Sequence, residues 1–593
     1  MFPRRVILLL LVAAVLPRSA LGQVDLSGEW ASTFHEDLPH RGPMMLGDYT
    51  GLPLNEAGFR KAASWDEAAR SLPERQCIPH VATYALRGPA TIRLSKVTDA
   101  ATGELIAYSL VGSYGRPRMI WMDGRPHPSP LAPHTWAGFS TGRWDRNSLV
   151  VTTTHIKAGW LNRNGSPTSD LATMVERFTR YGDYLLVTTI IKDPIFLAEP
   201  FIRTTNYVAS PITSANAWGN CGPAQIVDEL PGRPRGQVPH YLPEQRDHIL
   251  AFVKKTGIPL EGARGGADTI YPEYAVKLRE RTASAEHPPF VPPPRTLARE
   301  VGDLQVLPVQ GSVYLLAGAG GNIAVQVGDD GVLLVDSGSG SAGDRVLAAI
   351  RRLTDRPIRF ILNTSADLDH LGGNEALARA GRSPGGGRPS DSPGPGALIF
   401  AHEEVLLSMS AARGNPSPLP VAALPTEGYP GESKEVFFNG EAIQLLHQPA
   451  AHTAGDSIAF FRRSDVIATG DVFTTDGYPV IDVRRGGTLG GIIDALNRII
   501  ALAIPKDWQE GGTMIIPGHG RIADEADVVE YRDMVTIIRD RIEAMVRRGF
   551  TLEQVKAARP TFEYDARYGA TSGPWTTEMF VEAAYRELRE RIR

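Results

Sequence analysis

Four β-like runs in the second half of this chain end in a turn that carries Asp or His, and this repeated ending restricts the fold more than any other feature. The stretches are D-L-D-H-L-G-G-N, with Asp369 and His370; P-A-A-H-T-A-G-D-S, with His452; I-A-T-G-D-V-F, with Asp471; and I-I-P-G-H-G-R, with His519. Each of these residues lies beside Gly or in a turn, where a loop delivers a short polar side chain to a shared point. Imidazole nitrogen together with carboxylate oxygen suits zinc and related divalent cations. A single histidine of this kind is usually an ordinary loop residue, but four segments in this order form a set.

The rest of the chain divides at Pro and Gly. Its 593 residues are too many for one ordinary core, and 42% hydrophobic with 22% charged residues is a globular composition. Residues 286–303 hold a Pro-rich linker, with P-P-F-V-P-P-P-R at its start. Before it, short strand-like runs dominate, such as T-I-R-L-S-K-V, L-I-A-Y-S-L-V and S-L-V-V-T-T-T-H-I. The runs on either side of Gly182-Asp183 form a hairpin signal, and seven of the nine tryptophans lie in this half. Residues 23–285 therefore read as a mainly-β domain, a sandwich or barrel-like sheet over roughly 25–210 and an irregular segment after it.

Beyond the linker, β-like runs alternate with helical segments, including 403–411, 489–503 and 524–548. That rhythm predicts an α/β domain over 304–548, with two sheets covered by helices. Residues 549–593 carry amphipathic helix signals and read as an extension packed on that domain. The low-complexity run at 382–396 reads as a surface insertion.

Residues 1–22 pair two arginines with an apolar run, Val6 to Leu16, and a small-residue site at Ala20 and Gly22. This predicts a secretory signal peptide cleaved near Gly22–Gln23, and an exported chain that is periplasmic or extracellular. Without Arg4, Arg5 and Arg18 the formal charge moves from −4 to −7. A mildly acidic chain with no concentrated Lys/Arg block argues against a nucleic-acid partner. No later run is long enough for an integral membrane span. Cys77 and Cys221 form one disulfide or remain two buried thiols, and the oligomeric state is left open.

The ordered motifs G-V-L-L-V-D-S-G, N-T-S-A-D-L-D-H-L-G-G-N, A-H-T-A-G-D-S, T-G-D and P-G-H-G resemble the metallo-β-lactamase superfamily over about 304–545. The resemblance implies an αββα sandwich with a metal site at one edge of the paired sheets. It implies that Asp369, His370 and His519 ligate one ion, with Asp471 able to bridge to a second beside His452. Ser365 and Asp367 stand where the family pattern has two histidines. Ser is a poor neutral zinc ligand, whereas Asp367 still offers an oxygen. The expected cofactor is zinc or another divalent metal, one ion, with the second left open. The N-terminal half is similar to exported bacterial β-rich domains of unsettled function, a likeness carried only by D-G-R-P-H-P near 123.

These readings point to a metal-dependent hydrolase in which activated water attacks an ester, lactone, amide or related bond of a small-molecule substrate. Asp369 and Asp471 are the expected groups to orient that water or take its proton. The alternative is a non-catalytic metal-binding or structural protein with a degraded site. Redox chemistry on a di-iron version is disfavoured, because both extra histidines are missing and no flavin domain is recognisable. Asp336 either positions a ligand or simply ends its strand. His447 reads as an ordinary residue, His402 as a helix start, Tyr478 as a pocket wall or surface aromatic, and His80, His134 and His155 as core or surface histidines.

Overall fold

The computed structural model describes residues 24–33, 46–75, 78–86, 91–112, 115–162, 164–210, 237–245, 247–274, 276, 303–384, 396–410, 419–506 and 511–592. The expected signal peptide, both cysteines and nearly all of the linker lie outside them. Among the described residues, nine strands between Gly28–Ser32 and Phe201–Ala209 close into a barrel. Neighbouring strands run antiparallel except Arg118–Trp121 beside Phe139–Asp145, which are parallel. The Gly182-Asp183 hairpin forms as read, with Tyr181 opposite Tyr184 and Gly182 at positive φ in the two-residue turn.

Alternation along the barrel strands sends Trp30, Ile92, Leu110, Leu149, Phe178 and Val187 inward as one core. The same alternation turns Arg118 and Glu176 inward, where Arg118 Nη2 lies 2.6 Å from Glu176 Oε2 and both are buried. The segment after the barrel differs from the irregular stretch expected. It contains a helix, Asp247–Thr256, that seats Ile249 and Phe252 against Tyr49 and Phe59. Its apolar positions three apart were masked in the sequence by surrounding Pro, Gly and charge.

The second half builds two mixed sheets. One has seven strands, from Gln305–Gln310 to Glu427–Tyr429 in chain order. The other has six, from Ser433–Phe438 to Ala523–Asp524. Leu333, Phe360, Phe400, Leu445, Phe461 and Ile516 fill the space between the sheets. Helices Gly343–Leu353 and Asn374–Ala380 cover the first sheet through Val346, Ile350 and Leu377. Helices Leu489–Leu502 and Glu525–Arg547 cover the second through Ile492, Leu496, Val535 and Ile538. Full burial of each such side chain stabilises the fold by roughly 1.5–3 kcal/mol. The fold is thus a mixed α/β domain with a separate N-terminal β-rich region.

The layering explains the sequence patterns. Gly331–Val335 is buried along its whole length because it sits between helices and the facing sheet, so its residues are continuously apolar. Asp524 caps the helix Glu525–Arg547 and Asp527 returns a bond to the cap, a reciprocal arrangement that fixes where the helix begins. The last helix, Thr577–Ile592, lays Phe580, Ala584 and Leu588 on the same core. Among the described residues, no helix is long and apolar enough to cross a membrane.

Barrel and second half meet through buried charge. Asp170 receives Arg521 Nη2 at 3.2 Å and Arg567 Nε at 2.8 Å, while Lys157 Nζ reaches Asp524 at 2.7 Å and Asp527 at 2.9 Å. Arg75 pairs with Glu530 and Asp533, and Arg532 with Glu74. Removing one member of such a set leaves an uncompensated buried charge. Asp170→Ala is therefore expected to lower stability by about 3–5 kcal/mol, read as a shift of the first denaturant transition. A shift below about 0.5 kcal/mol, the size of an ordinary surface substitution, would show that the clamp holds nothing together.

Candidate metal centre

Strands of both sheets deliver their C-terminal ends to one edge, and the site is built from the turns that follow. Asp336 follows Gly331–Val335, and residues 363–371 follow Ile358–Leu362. His452 follows Glu441–His447, Asp471 follows Val466–Ala468, and His519 follows Met514–Ile516. Two groups result, Asp369 with His370 and His519, and Asp367 with His452 and Asp471. Within each group the ligand atoms lie within 4.8 Å of one another. The structure thus brings together every metal-site residue read from the sequence, including Asp367. Among the described residues these are the His, Cys, Asp and Glu groups so arranged.

A row of contacts runs through the centre. Asp336 Oδ2 meets His370 Nδ1 at 2.7 Å, and His370 Nε2 meets Asp471 Oδ1 at 3.2 Å. Asp336 does more than end its strand. It sits at φ +65° and accepts from the backbone N–H and hydroxyl of Thr364, so it is itself held on three sides. His452 is oriented by the Val480 carbonyl, 2.9 Å from Nδ1, and its Nε2 faces Asp367 Oδ2 at 2.7 Å. His519 Nε2 is buried without a hydrogen-bond partner, although Asp369 Oδ2 lies 3.3 Å away and Asp471 Oδ1 3.4 Å away.

Electrostatics follow from this packing. Burial alone would push His370 down and Asp471 up, but the Asp471 and Asp336 carboxylates reverse this for His370, and the His370, His519 and His452 rings reverse it for Asp471. His370 is held well above the usual imidazole range and Asp471 well below the usual carboxylate range. His452 follows the same pattern: burial opposes its charge, yet the bond to Asp367 raises it to about 10. Burial likewise works against the Asp367 carboxylate, and the His452 contact brings it down to about 2. Four carboxylates around three imidazoles make a buried pocket with an excess of negative charge.

Two glycines make room for this. A Cβ on Gly321 would stand 2.6 Å from His370 Cε1, and one on Gly518 would stand 2.5 Å from Asp471 Oδ1. Both positions sit against a side chain of the candidate centre, so only hydrogen fits there.

Other expectations are corrected. Tyr478 is a core residue and not a wall of the metal centre. Its ring stacks on Phe580 at 4.9 Å, and its hydroxyl bonds Asp565 and the Thr561 carbonyl, which ties the C-terminal helices down. His447 stacks on His402 at 3.6 Å, and its Nε2 contacts the Ala454 carbonyl at 2.7 Å. His402 begins the helix Glu403–Met409 as read, accepting from the Glu404 N–H. In the barrel, His134 and His155 contact backbone carbonyls of Ile156 and Ser129.

Arg485 was missed in the sequence. Its Nη2 lies 2.6 Å from Asp367 Oδ1, and its Nε lies 2.7 Å from Asp482 Oδ2. The D-V-R-R spacing hints at the local pair with Asp482. Nothing in the sequence ties Arg485 to a residue 118 positions away.

Paired sheets with Asp and His turns converging on one edge define a class of fold, and direct comparison agrees. Residues 308–519 match the family model of the Metallo-beta-lactamase superfamily. Among solved structures the chain is similar to the stereoselective inverting sec-alkylsulfatase Pisa1 from Pseudomonas sp., at 13% identity and TM-score 0.36. That likeness covers 48% of this chain and 50% of the alkylsulfatase, so the chain spans half the length of that relative. It is also similar to a metallo-beta-lactamase from Pontibacter korlensis, at 14% identity and TM-score 0.30, covering 39% of this chain and 99% of the other. No curated protein matches the chain.

Gly321→Ala is expected to force the His370 ring out of line and cost about 1–3 kcal/mol, as overpacking of a tight site does. Denaturant unfolding checks this, and an unchanged midpoint would show that the ring has slack.

Proposed function

We infer that the chain is an exported metal-dependent hydrolase that cleaves an ester, lactone, amide or related bond in a small molecule. The observation that supports this most is the convergence on His519 Nε2 of two carboxylate oxygens, Asp369 Oδ2 at 3.3 Å and Asp471 Oδ1 at 3.4 Å, both longer than a good hydrogen bond. Contacts this long leave the imidazole nitrogen and the two oxygens weakly engaged with one another and open to a shared cation. Asp369, His370 and His519 fit a divalent ion by donor type and convergence, and Asp471 Oδ1 lies 3.2 Å from His370 Nε2 and 3.4 Å from His519 Nε2 beside them. An ion held there supplies Lewis acidity, polarising a substrate oxygen and acidifying water.

The protein's own groups divide the remaining work. Asp336 fixes the ring of His370, so that Nε2 points inward and Nδ1 is spent on the carboxylate. Asp471 is nearly enclosed, with 7% of its side chain exposed, and serves to hold charge. Asp369 is 30% exposed and lies on the open side, where it orients an attacking water and takes its proton. Its carboxyl stays ionised: burial works against the charge, but His519 and the neighbouring His370 hold it below the usual range. The signal-like N-terminus supports export, with a periplasmic or extracellular site of action.

Elemental analysis and a panel of esters, lactones and amides test the reading. The purified chain is expected to retain zinc or a similar ion, to lose it in Asp369→Ala and His519→Ala, and to stop turning over when chelated. Asp369→Asn is expected to lower kcat by about 10²–10⁴-fold, the usual share of a general base. Metal retention without turnover on any substrate would leave the non-catalytic alternative standing. Asp336→Ala is expected to weaken metal affinity by about 10–100-fold, as loss of an orienting partner does, and competition with a chromophoric chelator measures it.

A further inference from the structure

The second group, Asp367 with His452 and Asp471, carries a cation of its own. Arg485 places Nη2 2.6 Å from Asp367 Oδ1, while His452 Nε2 holds the other oxygen at 2.7 Å. The Asp367 carboxylate is thus spent on both sides by protein groups. Ser365, at one position where the family pattern has histidine, is buried, and its hydroxyl accepts from the Asp367 N–H, so it stabilises the same turn.

Arg485 does not arrive there by chance rotation. Its Nε is held by Asp482 Oδ2 at 2.7 Å, and Asp482 also accepts from the backbone N–H groups of Arg484 and Arg485. The turn is stitched to the histidine it serves. Asp482 N donates to the His452 carbonyl at 3.0 Å, Ala454 N donates to the Arg485 carbonyl at 2.8 Å, and Val480 orients the His452 ring. Gly487 passes so close that a Cβ would meet the His452 carbonyl oxygen at 2.0 Å. One loop therefore fixes both the imidazole and the guanidinium relative to each other.

We propose that Arg485 occupies the electrostatic place of a second metal ion and keeps this a one-ion centre. Its charge balances Asp367: Nη2 takes one oxygen of that carboxylate while Asp482 holds Nε, so an ion approaching Asp367 has to displace the guanidinium. An Asp in place of histidine is then matched to an arginine instead of to a metal. The inference rests on the metal-dependent reading above and adds to it the number of ions and the residue that sets that number.

The test loads the full chain with excess zinc, removes unbound metal by gel filtration and counts ions by elemental analysis. Wild type is expected to hold about one ion per chain, and Arg485→Met about two, because the freed Asp367 joins His452 and Asp471 as a ligand set. The double variant Arg485→Met with Asp367→Asn is expected to return to about one. Cobalt substitution gives a second readout, with a new ligand-field band in Arg485→Met that wild type lacks. Two ions in wild type, or one in a folded Arg485→Met, would overturn the proposal. If Arg485→Met fails to fold, Asp367→Asn alone decides: one ion retained supports the proposal, and none retained shows that Asp367 is a ligand of the single ion. Wild type holding no ion at all would instead sink the metal-dependent reading itself.

Discussion

The second half of the molecule is organised around one buried row of charge, from Asp336 through His370 to Asp471. Such a row survives burial only when every member has a partner on each side. That requirement explains why Asp336 accepts a left-handed backbone and why Thr364 gives it both its N–H and its hydroxyl. It also explains the architecture at a coarser level. Asp336 and His370 come from one sheet and Asp471 from the other, so the row forms only when the two sheets have packed. The apolar layer between the sheets sets the distance across which these charges meet.

The barrel takes part in the same economy of charge. Arg521 follows His519 by two residues and ends on Asp170 of the barrel, and Ile522 N donates to the Leu131 carbonyl beside it. The turn that presents His519 is therefore steadied from outside its own domain. Arg567 reaches the same Asp170 carboxylate from the C-terminal helices, which adds a third segment to the clamp. A turn anchored this way has already been ordered by folding, so under the proposed metal-dependent reading little further conformational freedom would be lost on taking up a cation.

Much of this was legible in the sequence, for identifiable reasons. Strands such as Gly331–Val335 and Val466–Ala468 were readable because burial on both faces makes them continuous apolar runs. The candidate ligand turns were readable because four Asp or His turns occur in this order, where any one of them alone would be ordinary. Arg485 was not, because its partner is remote and an arginine three residues after an Asp is ordinary turn and cap chemistry. Tyr478 was misplaced for a related reason. An aromatic near a site suggests a pocket, and only the packing of Phe580 against its ring shows that the C-terminal helices claim it. The helix Asp247–Thr256 escaped notice because its buried face consists of little more than Ile249 and Phe252.

The two hydrogens that stand where Gly321 and Gly518 lack side chains have a consequence for how variation in this chain should be interpreted. Neither residue has a side chain to offer a donor, an acceptor or a charge, yet each lies against a side chain that does. A survey that ranks positions by chemical function would pass over both. A survey that ranks them by intolerance to change would place them beside His370 and Asp471, and the centre would be outlined as much by its empty spaces as by its ligands.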